Sequence, residues 1–323
     1  MKFITQQEIE SAYLMEECIT DLKEGFRLYS EKKTHAPVRT SLDHSQSDAN
    51  TLFMPSYIEG LEYETVKVVS IFPNNPEAGL PTLQSIILLT ETINGQHLAT
   101  FAASGLTVMR TGAGSGVATE YLARKDARIL AILGCGAQSR GQLQAALAVR
   151  PIERVLLWNR TKEKARIFKE EIRRMGFQGE VIITDSANEA ASEADILSLS
   201  SKSQEALFNA NALKAGVHIN AIGSYRPDLK EFGDDTLSKV DQLWVDTLEG
   251  VQHEAGELIQ AAEKGTWKWD SVNGEIADLV TGEKTGRNNE HEITLYKSVG
   301  VAYMDTITAA KVYEKLTNTH TGR

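Results

Sequence analysis

The chain has 323 residues, of which 41% are hydrophobic, and its 34 basic against 44 acidic side chains give a formal net charge of −10. That is enough apolar material for one large core or two medium ones, and the acidic balance offers no basic field for nucleic acid or an anionic membrane. Only Cys18 and Cys135 are present, in neither a CxxC nor a Cys/His spacing, so a disulfide framework and a structural zinc site are not expected. The N-terminus reaches polar residues before an apolar leader core can form, and no apolar run nears the roughly 20 residues of a membrane span, which predicts a cytoplasmic protein.

Thr5 and Glu8 form a capping box, and Ile9, Tyr13, Ile19, Leu22 and Phe26 keep a helical apolar spacing, predicting one amphipathic helix as far as about Ser30. From Pro37 to Phe101 the pattern becomes β-rich, with short runs over 52–54, 65–71 and 84–90 broken by Pro55, Pro73, Pro76 and Pro81. The pair Asn94-Gly95 predicts a tight turn into 97–101, so a mostly antiparallel sheet is expected here. A small-residue helix over about 106–122 leads into strict alternation of strand and helix. The strands are read as 128–133, 155–158, 181–184, 196–200, 217–222 and 242–246, with Ala165, Phe168, Ile172 and Met175 as the buried stripe of one connecting helix. Six such strands predict an α/β fold with a doubly wound parallel sheet of Rossmann type. The stretch 298–316 reads as one helix, expected to return to the N-terminal region for a surface to pack on.

The strand 129–133 runs directly into Gly134-Cys135-Gly136-Ala137-Gln138-Ser139, and a helix follows. Strand, glycine turn and helix in immediate succession place backbone N–H groups and a helix N-terminus where a pyrophosphate sits. The third fingerprint position is Ser139 in place of glycine or alanine. Twenty positions further on, where NAD-specific folds carry an acidic residue for the ribose, the chain reads Asn159-Arg160-Thr161. A guanidinium matches a 2′-phosphate, so NADP(H) is expected as the preferred cofactor, with NAD(H) as the alternative. Lys67 stands among Val66, Val68 and Val69. A lysine desolvated in such a strand acquires a lowered pKa suited to proton transfer, although on the residues alone an edge-strand lysine facing water remains open.

The loop Gly134-Cys135-Gly136-Ala137-Gln138, together with Met109-Arg110-Thr111-Gly112-Ala113, Ile219-Asn220-Ala221-Ile222-Gly223 and Ser298-Val299-Gly300, resembles the ornithine cyclodeaminase and mu-crystallin family over nearly the whole chain. The resemblance implies a homodimeric, two-domain, nicotinamide-dependent enzyme acting on a small 2-amino or 2-imino acid. Residues 1–113 with 299–323 would form an α+β substrate-binding and dimerisation domain, and 114–298 the NAD(P)-binding domain. It makes Lys67 catalytic and Arg39 and Arg110 the clamp on the substrate carboxylate, with Met54 beside the substrate. Thr82, Thr111, Gly134, Gly136, Ala137, Gln138, Asn159, Arg160, Thr161, Ser200 and Ser224 would line the cofactor.

Two carboxylates of the cyclodeaminases are missing. Tyr225 stands where they carry an aspartate, with Asp228 three positions late and after a proline, and Leu52 stands where they carry a glutamate before a Met-Pro pair. The expected activity is therefore NADPH-dependent reduction of a 2-imino acid such as Δ1-pyrroline-2-carboxylate or a ketimine, with alanine dehydrogenase activity in addition. The alternatives are an ornithine cyclodeaminase and a non-catalytic NADPH-dependent binding protein. No two histidines have the i, i+4 spacing of a helical metal motif; no metal is expected, and solvated histidines are the default reading.

Overall fold

The Thr5 hydroxyl accepts a hydrogen bond from the Glu8 N–H, and the Glu8 carboxylate in turn accepts one from the Thr5 N–H, so the expected capping box starts a helix in this computed structural model, which describes residues 1–318. That helix ends early. Following β1 (Lys2–Ile4), α1 covers Gln6–Ala12 and α2 covers Met15–Ser30, with Tyr13 and Leu14 extended between them. The Leu14 N–H donates to the Glu17 carboxylate, capping α2 anew, while buried Tyr13 sends its hydroxyl to Asp21. The apolar spacing that suggested one helix therefore spans two.

The sheet of this region contains β2 (Thr34–His35), β3 (Thr40–His44), β4 (Ala49–Ile58), β5 (Tyr63–Ile71), β6 (Leu83–Glu91) and β7 (His97–Ala102), in the order β1-β7-β6-β5-β4-β2, with β3 also on β4. All pairings are antiparallel except β1 with β7. Pro55 does not break its strand. It lies in β4 opposite Val66, at the gap between the stretches paired with β3 and β2, where a missing N–H leaves no ladder bond unmade.

α3 (Ala103–Leu122) leads to β8 (Ile129–Leu133), α4 (Ser139–Val149), β9 (Arg154–Trp158), α5 (Lys162–Arg174), β10 (Glu180–Ile183), α6 (Ala187–Glu193), β11 (Ile196–Leu199), β12 (His218–Ala221), α7 (Asp234–Leu237) and β13 (Gln242–Val245). Then come α8 (Leu248–Glu254), α9 (Gly256–Lys264), β14 (Gly274–Glu275), α10 (Ile276–Thr281), β15 (Thr294–Lys297) and α11 (Ala302–Asn318). The second sheet is parallel throughout, in the order β10-β9-β8-β11-β12-β15-β13-β14. It holds eight strands rather than six. β15, where no strand was expected, enters between β12 and β13, and its four residues are all buried. The sheet is doubly wound about β8 and β11, whose carboxyl ends form the switch point where such folds bind dinucleotides.

By contacts the chain divides into two compact units, one of Met1–Arg110 with the chain from Val301 on, the other of Thr111–Gly300. The division falls in α3 after Arg110, three residues before the expected boundary at 113, and Val299 and Gly300 belong to the second unit; residues 319–323 of the expected range lie outside the described residues. The C-terminal helix begins at Ala302 rather than Ser298 and packs on α2 and on β4, β5 and β6. Met175 is not part of a buried stripe: α5 ends at Arg174 and Met175 is 37% exposed. Among the described residues no helix is long and apolar enough to cross a membrane.

Candidate active site

In the first unit, β4, β5 and β6 align Met54, Lys67 and Ile87 in one cross-strand row on the buried face, the face on which α11 packs. β5 is a central strand, so Lys67 is not an edge lysine facing water. It is 2% exposed, and its ammonium donates to Asp305 Oδ2 at 2.6 Å. Arg110, also buried, donates from Nε to Asp305 Oδ1 at 3.1 Å, so one carboxylate on α11 holds both cations. Burial, then the Arg110 guanidinium, pushes the Lys67 pKa down to about 7, against the pull of Asp305. The two cations hold the Asp305 carboxyl below its ordinary value despite its burial.

Asp305 was not found from the sequence. Its signal was an acidic residue in the otherwise apolar and small-residue run 301–310, a buried charge waiting for partners. Arg110 Nη1 is buried and has no hydrogen-bond partner, which leaves a guanidinium donor for an anion. Arg39 lies between β2 and β3, half-buried, and is close enough to contribute to the lowering of the Lys67 pKa. The cluster thus joins three cations and one anion, an arrangement suited to a carboxylate ligand beside a titrating amine.

In the second unit, Gly134 ends β8 with φ +104°, and a Cβ there would meet Ser200 backbone atoms at 2.8 Å, so only glycine fits. The Asn159 side chain accepts from the Cys135 N–H at 3.0 Å and donates to the Thr161 carbonyl, which ties the end of β9 to the glycine turn. Ser139 occupies the third fingerprint position by folding its hydroxyl back onto the Gly136 carbonyl. The N–H groups of Gly136, Ala137 and Gln138 have no acceptor among the described residues, and a Cβ on Gly136 would project into open space. Free donors at the start of α4 over an open glycine are what a pyrophosphate requires, so these residues fit a dinucleotide. Arg160 is exposed and makes no ion pair among the described residues, and Thr161 stands at the N-cap position of α5 without a side-chain capping bond.

The remaining expected residues separate. Ser200 donates to the Gly134 carbonyl and so braces the glycine turn. Thr111 is half-buried on α3, and half-buried Thr82 precedes β6, its carbonyl accepting from the Phe72 N–H. Ser224 is fully buried, with its hydroxyl committed to Glu257 and contacted by Lys297, so that side chain is not presented to a cofactor. Asp228 is exposed and doubly bonded to Arg226, which removes it as a stand-in for the missing aspartate. Leu52 is buried on β4, two residues along the same face from Met54, and Tyr225 is half-buried. One histidine departs from the solvated default: His218 on β12 is fully buried between Thr294 and Asn220, and its pKa is driven down to about 3 by burial. Among the described residues no group of three or more His, Cys, Asp or Glu side chains is arranged to hold a metal ion.

A doubly wound dinucleotide fold carried with a buried Lys–Asp–Arg cluster defines a nicotinamide-type enzyme class. Within it, the sequence profile of the ornithine cyclodeaminase/mu-crystallin family matches residues 1–320, and the chain belongs to that family. It is 38% identical over 315 residues to a Δ1-pyrroline-2-carboxylate reductase of Bacillus cereus, covering 98% of this chain and 96% of that protein. The Δ1-pyrroline-2-carboxylate reductase of Thermococcus litoralis, solved in complex with NADH and L-proline, superposes with a TM-score of 0.94 at 38% identity, covering 99% of this chain and 98% of that one. An archaeal alanine dehydrogenase dimer with bound NAD gives a TM-score of 0.91 at 32% identity, covering 99% and 97% of the two chains.

Proposed function

We propose that this protein is an NAD(P)H-dependent oxidoreductase that reduces the C=N bond of a small cyclic 2-imino acid of the Δ1-pyrroline-2-carboxylate type, with NADP(H) preferred. The observation that carries the reading is the buried Lys67–Asp305–Arg110 cluster, with a lysine poised near neutrality beside a guanidinium that has a free donor. Reductases of this substrate among the relatives support it.

Arg110 and Arg39 bind the substrate carboxylate, which fixes the ring and its imine carbon. A dinucleotide held by its pyrophosphate at the glycine turn would supply a hydride from its nicotinamide to that carbon. As the C=N π pair moves onto nitrogen, the Lys67 ammonium transfers a proton to it, and the product is the cyclic amino acid. Asp305 stabilises the ammonium before transfer, and Lys67 then regains a proton from solvent. Since Lys67 is protonated below about pH 7 and neutral above it, reduction is favoured on the acid side and oxidation of the amino acid on the alkaline side.

Ornithine cyclisation needs a base and an acceptor for the side-chain amine, and Leu52 and Tyr225 supply neither in the family's positions. Alanine formation from pyruvate and ammonia is a second reading, favoured by the archaeal alanine dehydrogenase. A homodimer is part of the proposal: the outer face of the first sheet leaves Phe3 and Ile86 exposed in rows with partly exposed Phe53, Val66, Val68 and Leu88, an apolar face suited to a second copy.

The test follows NADPH and NADH oxidation with Δ1-pyrroline-2-carboxylate, and separately with pyruvate plus ammonium, alongside Lys67→Met. Imine-dependent oxidation that Lys67→Met abolishes supports the reading. Tight cofactor binding with no turnover of either substrate would instead favour the binding-protein alternative.

A further inference from the structure

Beneath the carboxyl ends of β11, β12 and β15 lies a second buried charge network that the reaction above does not use. The Glu231 carboxylate accepts the Ser201 N–H at 2.6 Å and the Gly223 N–H at 2.7 Å, one from the loop after β11 and one from the loop after β12. Its own N–H donates to Glu257 Oε1 at 2.9 Å, at the start of α9. Glu257 also accepts the Ser224 hydroxyl, and its Oε2 stands 3.4 Å from the Lys297 ammonium at the end of β15, which in turn donates to the Ser224 carbonyl at 2.7 Å. Lys297 and Glu231 are wholly buried, Glu257 all but so, and Glu257 Oε2 has no hydrogen-bond partner.

Stability does not account for such a network, because well-packed apolar residues in place of a buried ion pair are often neutral or stabilising. What Glu231 uniquely does is latch two loops together. Gly223 permits the latch: a Cβ there would meet the Ser201 carbonyl oxygen at 2.2 Å and Glu231 Oε1 at 2.4 Å. In a doubly wound sheet a dinucleotide crosses the switch point with one mononucleotide half on each side. The glycine turn after β8 and the end of β9 serve the adenosine half, so the loops after β11 and β12 fall to the nicotinamide half.

We propose that Glu231, backed by Glu257 and Lys297, is a positioning residue that latches the loops 200–203 and 222–224 into the floor of the nicotinamide subsite. The proposal rests on the nicotinamide-dependent function proposed above. Glu231→Gln leaves Lys297 opposite Glu257 as a balanced pair, but an amide accepts only one of the two loop N–H bonds and turns a donor toward the other. Gly223→Ala separates the same loops by steric contact alone and alters no charge.

The experiment measures Kd for NADPH, NADH and ADP-ribose, which lacks the nicotinamide, on the wild-type protein and both variants, with thermal unfolding as a folding check. Both variants are expected to weaken NADPH and NADH by about tenfold or more while holding ADP-ribose within about twofold. Glu231→Asp, a carboxylate one methylene shorter, should recover part of the loss. Equal weakening of dinucleotides and ADP-ribose, or unchanged affinity in both variants, overturns the latch. Wild-type protein that binds none of the three overturns the functional reading itself, a distinct result.

Discussion

Asp305→Asn tests the cluster most sharply, because it removes one charge and almost no volume. The Asp305 carboxylate lies 2.6 Å from the Lys67 nitrogen in a fully buried setting. A pair of unit charges about 4 Å apart is worth about 4 kcal/mol at an effective dielectric constant near 20. Lost from the protonated form of Lys67 alone, that is close to three powers of ten in its ionisation equilibrium. The asparagine amide retains one hydrogen bond and part of the dipole, so we expect tenfold to about a thousandfold less protonated Lys67 near neutral pH. The assay is the pH profile of kcat for imine reduction. In the variant the limb that wild type shows at about pH 7 should move well to the acid side, with activity recovering as pH is lowered, while folding weakens most at acid pH where Lys67 and Arg110 are both charged without a counterion. A profile with an unmoved limb, or a uniform loss of kcat at every pH, would refute the assignment of Asp305 as the group that holds the Lys67 proton.

Arg160→Asp should weaken NADPH about tenfold or more and leave NADH little changed, since it replaces an exposed guanidinium by a charge that repels a 2′-phosphate; titration with both cofactors checks this, and equal losses would point to a folding defect. Arg39→Ala should raise KM for the imino acid more than it lowers kcat, and Lys67→Met the reverse, because a clamp acts partly in the ground state and a proton donor mainly in the transition state. Ornithine with catalytic NAD should yield no appreciable proline or ammonia, and their robust release above the rate of imine reduction would overturn the choice of reaction. Burial raises the Glu231 pKa to about 7 from 4.5, so this group adds stability that is complete below about pH 4.5 and lost as pH rises through about 7; chemical denaturation of Glu231→Gln should lack that decline.

Patterns of short range carried most of the architecture. Alternating strands and helices, the glycine turn after β8 and the capping box at Thr5 each depend on hydrogen bonds and side-chain periods within a few residues of one another, and the sequence alone displays them. The limits appear where a local pattern has two solutions. The apolar spacing through Tyr13 is as compatible with two helices as with one, and the four residues of β15 are too few to register as a strand until β12 and β13 flank them. Pro55 looks like a strand end and becomes a strand interior only because β2 and β3 leave a gap beside it. At the candidate site, Lys67 and the arginines were legible through their residue types and their resemblance to a family, yet the charge that governs Lys67 stands 238 residues away on α11. The Glu231, Glu257 and Lys297 network was likewise invisible, since each of its members reads in sequence as an ordinary surface residue. Burial and pairing of charge are properties of the closed core, where desolvation must be balanced by partners brought from distant segments, and only the tertiary structure decides which charges those are.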